Sequence, residues 1–222
     1  MTAPLDYGRL TRNIDQEDEM STPTRRESVR QEITLGALRA LQARSWDEVG
    51  TREVAAEAGI SLGRLHYYFE SKEALILAAV QLFYDELLEQ FLSAFSGKEP
   101  IEIVRGMIRG AHFEPGAPES AGRVRMQAEA RIRSLRDKSI EPIVIRYRHG
   151  LRAAVVEAFC DAHMTRKQAE ALAIIVLDFL ESFTPHRIQE SDTMDVAAVE
   201  ELFIAMIERE LAAGRPAKRK AK

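Results

Sequence analysis

Along most of this chain apolar residues return every three or four positions, the spacing that lines one face of an α-helix. The first such series is Val29, Ile33, Ala37 and Leu41. In front of it, Thr24-Arg25-Arg26-Glu27 has the form of a capping box, in which hydroxyl and carboxylate satisfy orphan backbone N–H groups at a helix start. A loop is expected around Trp46–Gly50, although Ser45-x-x-Glu48 within it also matches a capping box. Two short helical segments, 51–58 and 61–69, are separated only by Gly59-Ile60. Ser71 is placed to cap a long helix that carries Ile76, Val80, Phe83, Leu87, Phe91 and Phe95 and stops at Gly97.

Farther on, Val104, Met107, Ile108 and Ala111 predict a helix broken by the turn 115–118. Ala121, Val124, Ala128, Ile132 and Leu135 predict the apolar face of another, with Glu129 and Arg133 as an i, i+4 pair. Ile143–Tyr147 looks strand-like alone, but Ile140, Ile143, Tyr147, Leu151, Ala154 and Ala158 extend it at helical spacing, with Pro142 tolerable in the first turn. Thr165-x-x-Gln168 opens a helix bearing Leu172, Ile175, Val176, Phe179, Leu180 and Phe183 and expected to end at Pro185. A last helix carries Val199, Leu202, Phe203, Met206 and Leu211 before Gly214. The fold class is therefore all-α. The last two helices have broader apolar faces than an edge helix needs, which points to a pair packing on another pair, for instance from a second subunit. Ile175, Phe179, Phe183, Leu202, Phe203 and Met206 are the candidate dimer contacts.

Composition narrows the function. The 222 residues include 45% hydrophobic and 30% charged, enough to bury a core, and the net charge of −4 excludes a bulk-basic nucleic-acid coat protein. One cysteine, Cys160, excludes an intrachain disulfide framework or a multi-cysteine metal site. The start has no signal-like segment and the most apolar runs fall short of the ~20 residues a bilayer needs, so a soluble cytoplasmic protein is expected. The five histidines (66, 112, 149, 163 and 186) are scattered, and no phosphate loop or nucleophile elbow is present, so neither catalysis, a metal nor a cofactor is expected. Charge is uneven: residues 21–72 carry 8 basic and 7 acidic side chains, whereas 73–213 carry 16 and 23. Residues 1–22 are acidic and expected to be a disordered arm, and 214–222 form a basic tail. The run Arg123, Arg125, Arg131, Arg133 and Arg136 is expected to be a solvated face paired with nearby acids, with an anionic effector as the lesser alternative.

The stretch Thr51–Phe69 carries the chemistry. Val54, Ala55 and Ala58, Ile60, and Leu65 and Phe69 make a small core, and Gly59 can take the positive φ that a tight turn between crossed helices requires. Outside it the second helix presents Leu62, Gly63, Arg64, His66 and Tyr67, an array that fits the major groove. Thr51 and Arg52 before it and Lys72 after it are candidate phosphate contacts, and Arg25 and Arg26 could reach the backbone or a neighbouring groove.

The stretch from about Thr24 to Leu75 resembles the tetracycline-repressor (TetR/AcrR) family of bacterial regulators. The matching positions are Thr51, Val54, Ala55, Ala58, Gly59, Ile60, Ser61, Gly63, Leu65, Tyr68, Phe69, Ser71, Lys72, Glu73 and Leu75. The resemblance implies about nine helices: a three-helix helix-turn-helix domain at 23–70 and a ligand-binding and dimerisation domain at 71–213. It implies a homodimer formed through the last two helices, binding palindromic double-stranded DNA and releasing it when a small molecule enters the C-terminal domain. Ser61 and Tyr68 join the DNA-contacting set on this ground. His66 departs from the family's frequent Tyr; imidazole is the shorter side chain. If the architecture holds, Met107, His112, Phe113, Met126, Glu129, Tyr147, Phe159 and Asp178 lie in segments enclosing a pocket. The segment 128–159 loosely resembles the choline- and pyrimidine-responsive branches. The function expected is a one-component repressor; the alternatives are an activator, or a helical small-molecule-binding protein without specific DNA binding.

Overall fold

The computed structural model describes residues 25–109, 118–189, 193 and 195–213. Among these residues the chain forms nine α-helices and no strand. The arm at 1–22, Thr24 of the first capping box, Ala111, His112, Phe113, the turn at 115–117 and the tail at 214–222 lie outside the described residues.

Three helices come first: α1 (Arg25–Ala43), α2 (Thr51–Glu57) and α3 (Leu62–Tyr68). On α1, Val29, Ile33, Ala37 and Leu41 are all buried, as their spacing requires. A fully buried Leu or Ile contributes roughly 1.5–3 kcal/mol, so this one stripe anchors the helix. Ser45-x-x-Glu48 closes a turn rather than a helix, Ser45 N–H donating to Glu48 at 3.3 Å. In that turn Trp46 and Val49 are buried.

Six more helices complete the body: α4 (Lys72–Phe95), α5 (Pro100–Arg109), α6 (Pro118–Ser134), α7 (Glu141–Asp161), α8 (Arg166–Gln189) and α9 (Val196–Ala213). Helix α4 packs on both α1 and α7, α7 packs on α8, and α9 packs on α5. The strand-like run Ile143–Tyr147 is helical, with Pro142 in the first turn of α7. Thr165 and Gln168 form a reciprocal cap for α8, Thr165 N–H donating to Gln168 Oε1 at 3.2 Å.

Two expectations fail. Helix α8 does not stop at Pro185 but continues to Gln189. Proline removes one backbone donor and crowds the preceding turn; there the Thr184 hydroxyl donates to the Leu180 carbonyl at 2.8 Å. On α6 the buried series is Gly122, Met126, Ala130 and Ser134, whereas Ala121, Ala128 and Ile132 are exposed and Leu135 lies past the helix end. The reason is the close approach of α6 to α1: a Cβ on Gly122 would stand 2.5 Å from the Gln42 carbonyl oxygen. Small residues must face that contact, whatever the larger apolar ones prefer.

The arginine run meets partners on neighbouring elements, nearby acids among them. Arg125 donates to the Gln42 carbonyl. Arg131 pairs with Glu181. Arg133 reaches Asp47 at 2.9 Å and Glu129 at 3.1 Å. Arg136 stays exposed.

Candidate nucleic-acid interface

Local hydrogen bonds set α2 and α3. The Gly50 N–H donates to Glu53 Oε2 at 3.1 Å, which holds the start of α2. At its other end the Arg39 guanidinium donates to the Glu57 carbonyl at 2.9 Å. Gly59 adopts φ +65°, and the following Ile60 N–H returns to the Ala55 carbonyl at 3.0 Å. That left-handed residue is what turns the chain within so few positions, a conformation that a Cβ disfavours. Ser61 then caps α3, its Oγ accepting from Arg64 N–H at 3.2 Å. Val54, Ala55, Leu65 and Phe69 are buried, so α3 has a fixed roll about its axis. Helices α1 and α2 meet closely where Gly36 lies against Ala58.

That roll leaves Gly63, Arg64, His66 and Tyr67 exposed, Tyr67 at 69%, with Ser61 exposed at the cap and Leu62 half-buried. Tyr68 differs from its neighbours: it is half-buried against the core, its ring edge-on to Tyr67 at 5.2 Å. Helix α1 joins this face, the Arg26 guanidinium lying over the Tyr67 ring at 5.7 Å and Arg30 over Phe69 at 4.7 Å. Arg25 is exposed. Thr51 is half-buried and Arg52 exposed at the start of α2. Lys72 is the first residue of α4, behind the Ser71 hydroxyl that accepts from Ala74 N–H at 3.1 Å. The structure thus brings the first turn of α1 together with α3, a link that no local spacing in the sequence discloses.

The candidate pocket residues are spread through the body. Met126 and Phe159 are fully buried, Tyr147 is buried with its ring 4.9 Å from that of Tyr84, and Met107 is half-buried on α5. Asp178 accepts from Arg148 at 3.1 Å. Glu129 is not with them: its carboxylate accepts from Trp46 N–H at 3.3 Å, facing the α1–α2 turn. Around Tyr147 the structure adds residues that sequence reasoning missed. The Tyr84 hydroxyl donates to the Gln127 carbonyl at 3.4 Å, and Glu181 sits between Arg131 and Arg148. Burial, helped by the nearby Glu181 carboxylate, pushes the Tyr147 hydroxyl up to about 12. Burial likewise raises the Glu181 carboxyl above its ordinary value, with Arg148 and Arg131 opposing. A tyrosine among apolar stripe positions, as at Tyr84 beside Phe83, was the available signal.

The dimer candidates divide. Ile175, Leu202 and Met206 are exposed, at 56%, 65% and 51%. Phe179, Phe183 and Phe203 instead stack within the chain, Phe179 to Phe203 at 3.8 Å and to Phe183 at 4.9 Å. Among the described residues no three His, Cys, Asp or Glu side chains gather to hold a metal, and no helix is long and apolar enough to cross a membrane.

A capped helix-turn-helix set on a larger helical body defines a DNA-reading class of protein. The family described as bacterial regulatory proteins, tetR family, matches residues 33–79. The HTH-type transcriptional regulator BetI of Rhizobium meliloti is 27% identical over 153 residues, covering 66% of this chain and 73% of BetI. The uncharacterized HTH-type transcriptional regulator YerO of Bacillus subtilis is 30% identical over 88 residues, 38% of this chain but only 30% of YerO's length. A transcriptional regulator from Saccharomonospora viridis, solved in complex with choline, shares the fold with a TM-score of 0.66 at 16% identity, over 82% of this chain and 96% of that one. Residues 33–79 of this chain are thus similar to the tetR family, and about two thirds of the chain is similar to a helix-turn-helix transcriptional regulator.

Proposed function

We propose that this chain is a homodimeric repressor that binds a palindromic operator and leaves it when a small molecule occupies the helical body. The observation that carries the reading is the outer face of α3, where Arg64, His66 and Tyr67 stand exposed on a helix whose roll is fixed by Leu65 and Phe69. Such a helix enters the major groove, where its first residues reach base edges. Thr51, Arg52 and Lys72 take phosphates on either side, and Arg25 and Arg26 approach the backbone from α1. Residues 23–70 are the DNA-binding domain and 71–213 the ligand and dimerisation domain.

The exposed Ile175, Leu202 and Met206 on α8 and α9, an apolar surface that water would otherwise cover, support the dimer. A two-fold dimer reads two half-sites about one helical turn, or ~34 Å, apart or a multiple of it. The effector site lies around Tyr84, Tyr147 and Glu181, and an effector acts by changing the separation of the two reading heads. Because Lys and Arg displace counterions from phosphates, affinity must fall steeply with salt. The experiment is fluorescence anisotropy on duplex DNA from upstream of the protein's own coding sequence, across a salt series. Salt-sensitive, sequence-preferring binding is expected; its absence would overturn the proposal in favour of a small-molecule-binding protein.

A further inference from the structure

We infer that Arg133, far from the reading helix in the chain and placed on the body, is a positioning residue for DNA binding. The inference rests on the proposed function above and concerns how the body holds the reading head. Three independent contacts converge on it. Arg133 donates to Asp47 in the α1–α2 turn at 2.9 Å. Its guanidinium lies over the ring of Trp46 at 5.1 Å. It also donates to Glu129, the same carboxylate that accepts from the Trp46 backbone N–H at 3.3 Å. The turn is thus clamped from two sides, its backbone by Glu129 and its side chains by Arg133.

The turn cannot easily move without them. Trp46 is buried, yet its indole N–H finds no acceptor among the described residues, so the ring is held by packing and by the overlying cation rather than by a hydrogen bond of its own. Four residues later Gly50 begins the cap of α2, through its N–H bond to Glu53. The position of the turn therefore sets the position of Thr51 and Arg52, the phosphate contacts of the proposed function. Nearby, Arg125 and the close approach of Gly122 fasten α6 to Gln42 at the end of α1. Helix α6 thus holds the start and the middle of the turn that leads into Thr51 and Arg52. The clamp residues Glu129 and Arg133 themselves line an open groove of about 690 Å³, with Ile132, Arg136, Asp137 and Lys138.

The chain contains one tryptophan, so Trp46 reports the clamp directly. Full-length wild type is compared with Arg133→Ala, Arg133→Lys and Arg136→Ala. Arg136 is exposed just past the end of α6, and its removal takes away the same charge without removing a contact to Trp46. The DNA is a duplex selected by the wild-type protein from a random library. In Arg133→Ala, acrylamide quenching of Trp46 should rise at least about twofold with helical circular dichroism retained. DNA affinity should fall about tenfold or more, and the slope of log affinity against log salt should shrink by about one phosphate contact. Arg133→Lys keeps the charge but loses the planar stack and the forked donors, so an intermediate loss of about threefold separates positioning from net charge. Arg136→Ala should bind within about twofold of wild type. Arg133 variants that bind with unchanged affinity and salt slope would overturn the inference, as would a loss equal in Arg136→Ala. Failure of the wild type to select any duplex would instead overturn the DNA-binding reading, while unaltered Trp46 quenching in Arg133→Ala would remove the clamp itself.

Discussion

The reading head and the body differ in how many of their cations are paired: in the head the Arg39–Glu57 pair joins α1 to α2, whereas the body has several such pairs. Among the described residues Arg52, Arg64 and Lys72 enter no ion pair, and they stand around the outer face of α2 and α3. In the body Arg131, Arg133, Arg146, Arg148 and Arg166 are each fastened to a carboxylate. A basic group already paired gains little from a phosphate, because the exchange of one anion for another returns most of the Coulomb energy. An unpaired one releases a counterion from DNA. The net charge of −4 therefore says little about DNA binding; what matters is which cations are left without a partner. Several of the body's arginines tie helices together, whereas Arg52, Arg64 and Lys72 of the head enter no ion pair among the described residues.

The sharpest way to break this contrast is to remove what orients the head. Phe69 is 2% exposed beneath Arg30. Phe69→Ala should cost roughly 3–5 kcal/mol, the range for truncating a buried aromatic, and urea denaturation should show the first transition moved to lower denaturant with DNA binding lost. A DNA-binding variant of unchanged stability would mean that the roll of α3 is not fixed by this core. Next in size is the dimer. The pair Leu202→Glu and Met206→Glu puts charge on an apolar surface already exposed in the single chain, so folding should survive while sedimentation shows a monomer. Operator affinity should then drop more than ~100-fold, because two half-sites no longer bind as one unit. A double variant that stays dimeric would place the interface elsewhere.

A smaller effect tests whether the head depends on local chemistry alone. Ser61 caps α3 through Arg64 N–H. Ser61→Ala should cost roughly 0.5–2 kcal/mol, read as a shift in denaturation midpoint, and DNA affinity should weaken with it. Restoration by Ser61→Asp of stability but not of affinity would show that the cap's side chain also sits near phosphate, since a carboxylate caps well yet repels DNA.

That dependence on local chemistry is why the head was legible from sequence. Gly59, Leu65 and Phe69 are neighbours along the chain, and their spacing specifies turn and core, whereas the Ser61 cap emerged only in the structure. The body's helices were legible for the same reason, apart from the passage through Pro185, where the Thr184 hydroxyl on the Leu180 carbonyl accompanies a helix that carries on. What could not be read was anything made between distant residues. Spacing on α6 favoured a face with Ile132 and Leu135, because size and hydropathy were the visible variables. The decisive variable was the Gln42 carbonyl on another helix, against which only Gly122 fits. Glu129 was grouped with Tyr147 by segment, yet it bonds the turn of the reading head. The stack of Phe179 on Phe203 was also invisible, so those residues resembled Leu202 and Met206 until their burial separated them.

The smallest effect concerns the body's fasteners, which differ in their surroundings. Arg146 pairs with Asp85 at 2.8 Å, but both side chains are more than half exposed, at 58% and 56%. Water and salt screen such a pair, and holding two long side chains in one geometry costs entropy, so its net contribution is about 0–1 kcal/mol. Arg146→Ala should therefore shift the thermal midpoint by no more than a few degrees and leave DNA binding unchanged. Arg131→Ala removes a partner of Glu181, whose side chain is only 18% exposed and which then remains desolvated with Arg148 alone. Its cost should exceed that of Arg146→Ala. The excess should grow as pH rises: the buried Glu181 carboxyl is already raised, so its protonated form favours the folded state at low pH, and that advantage is lost as pH climbs through its folded value. Equal losses for the two variants at every pH would mean that burial does not distinguish the fasteners, and that the body's arginines are as interchangeable as a solvated face would make them.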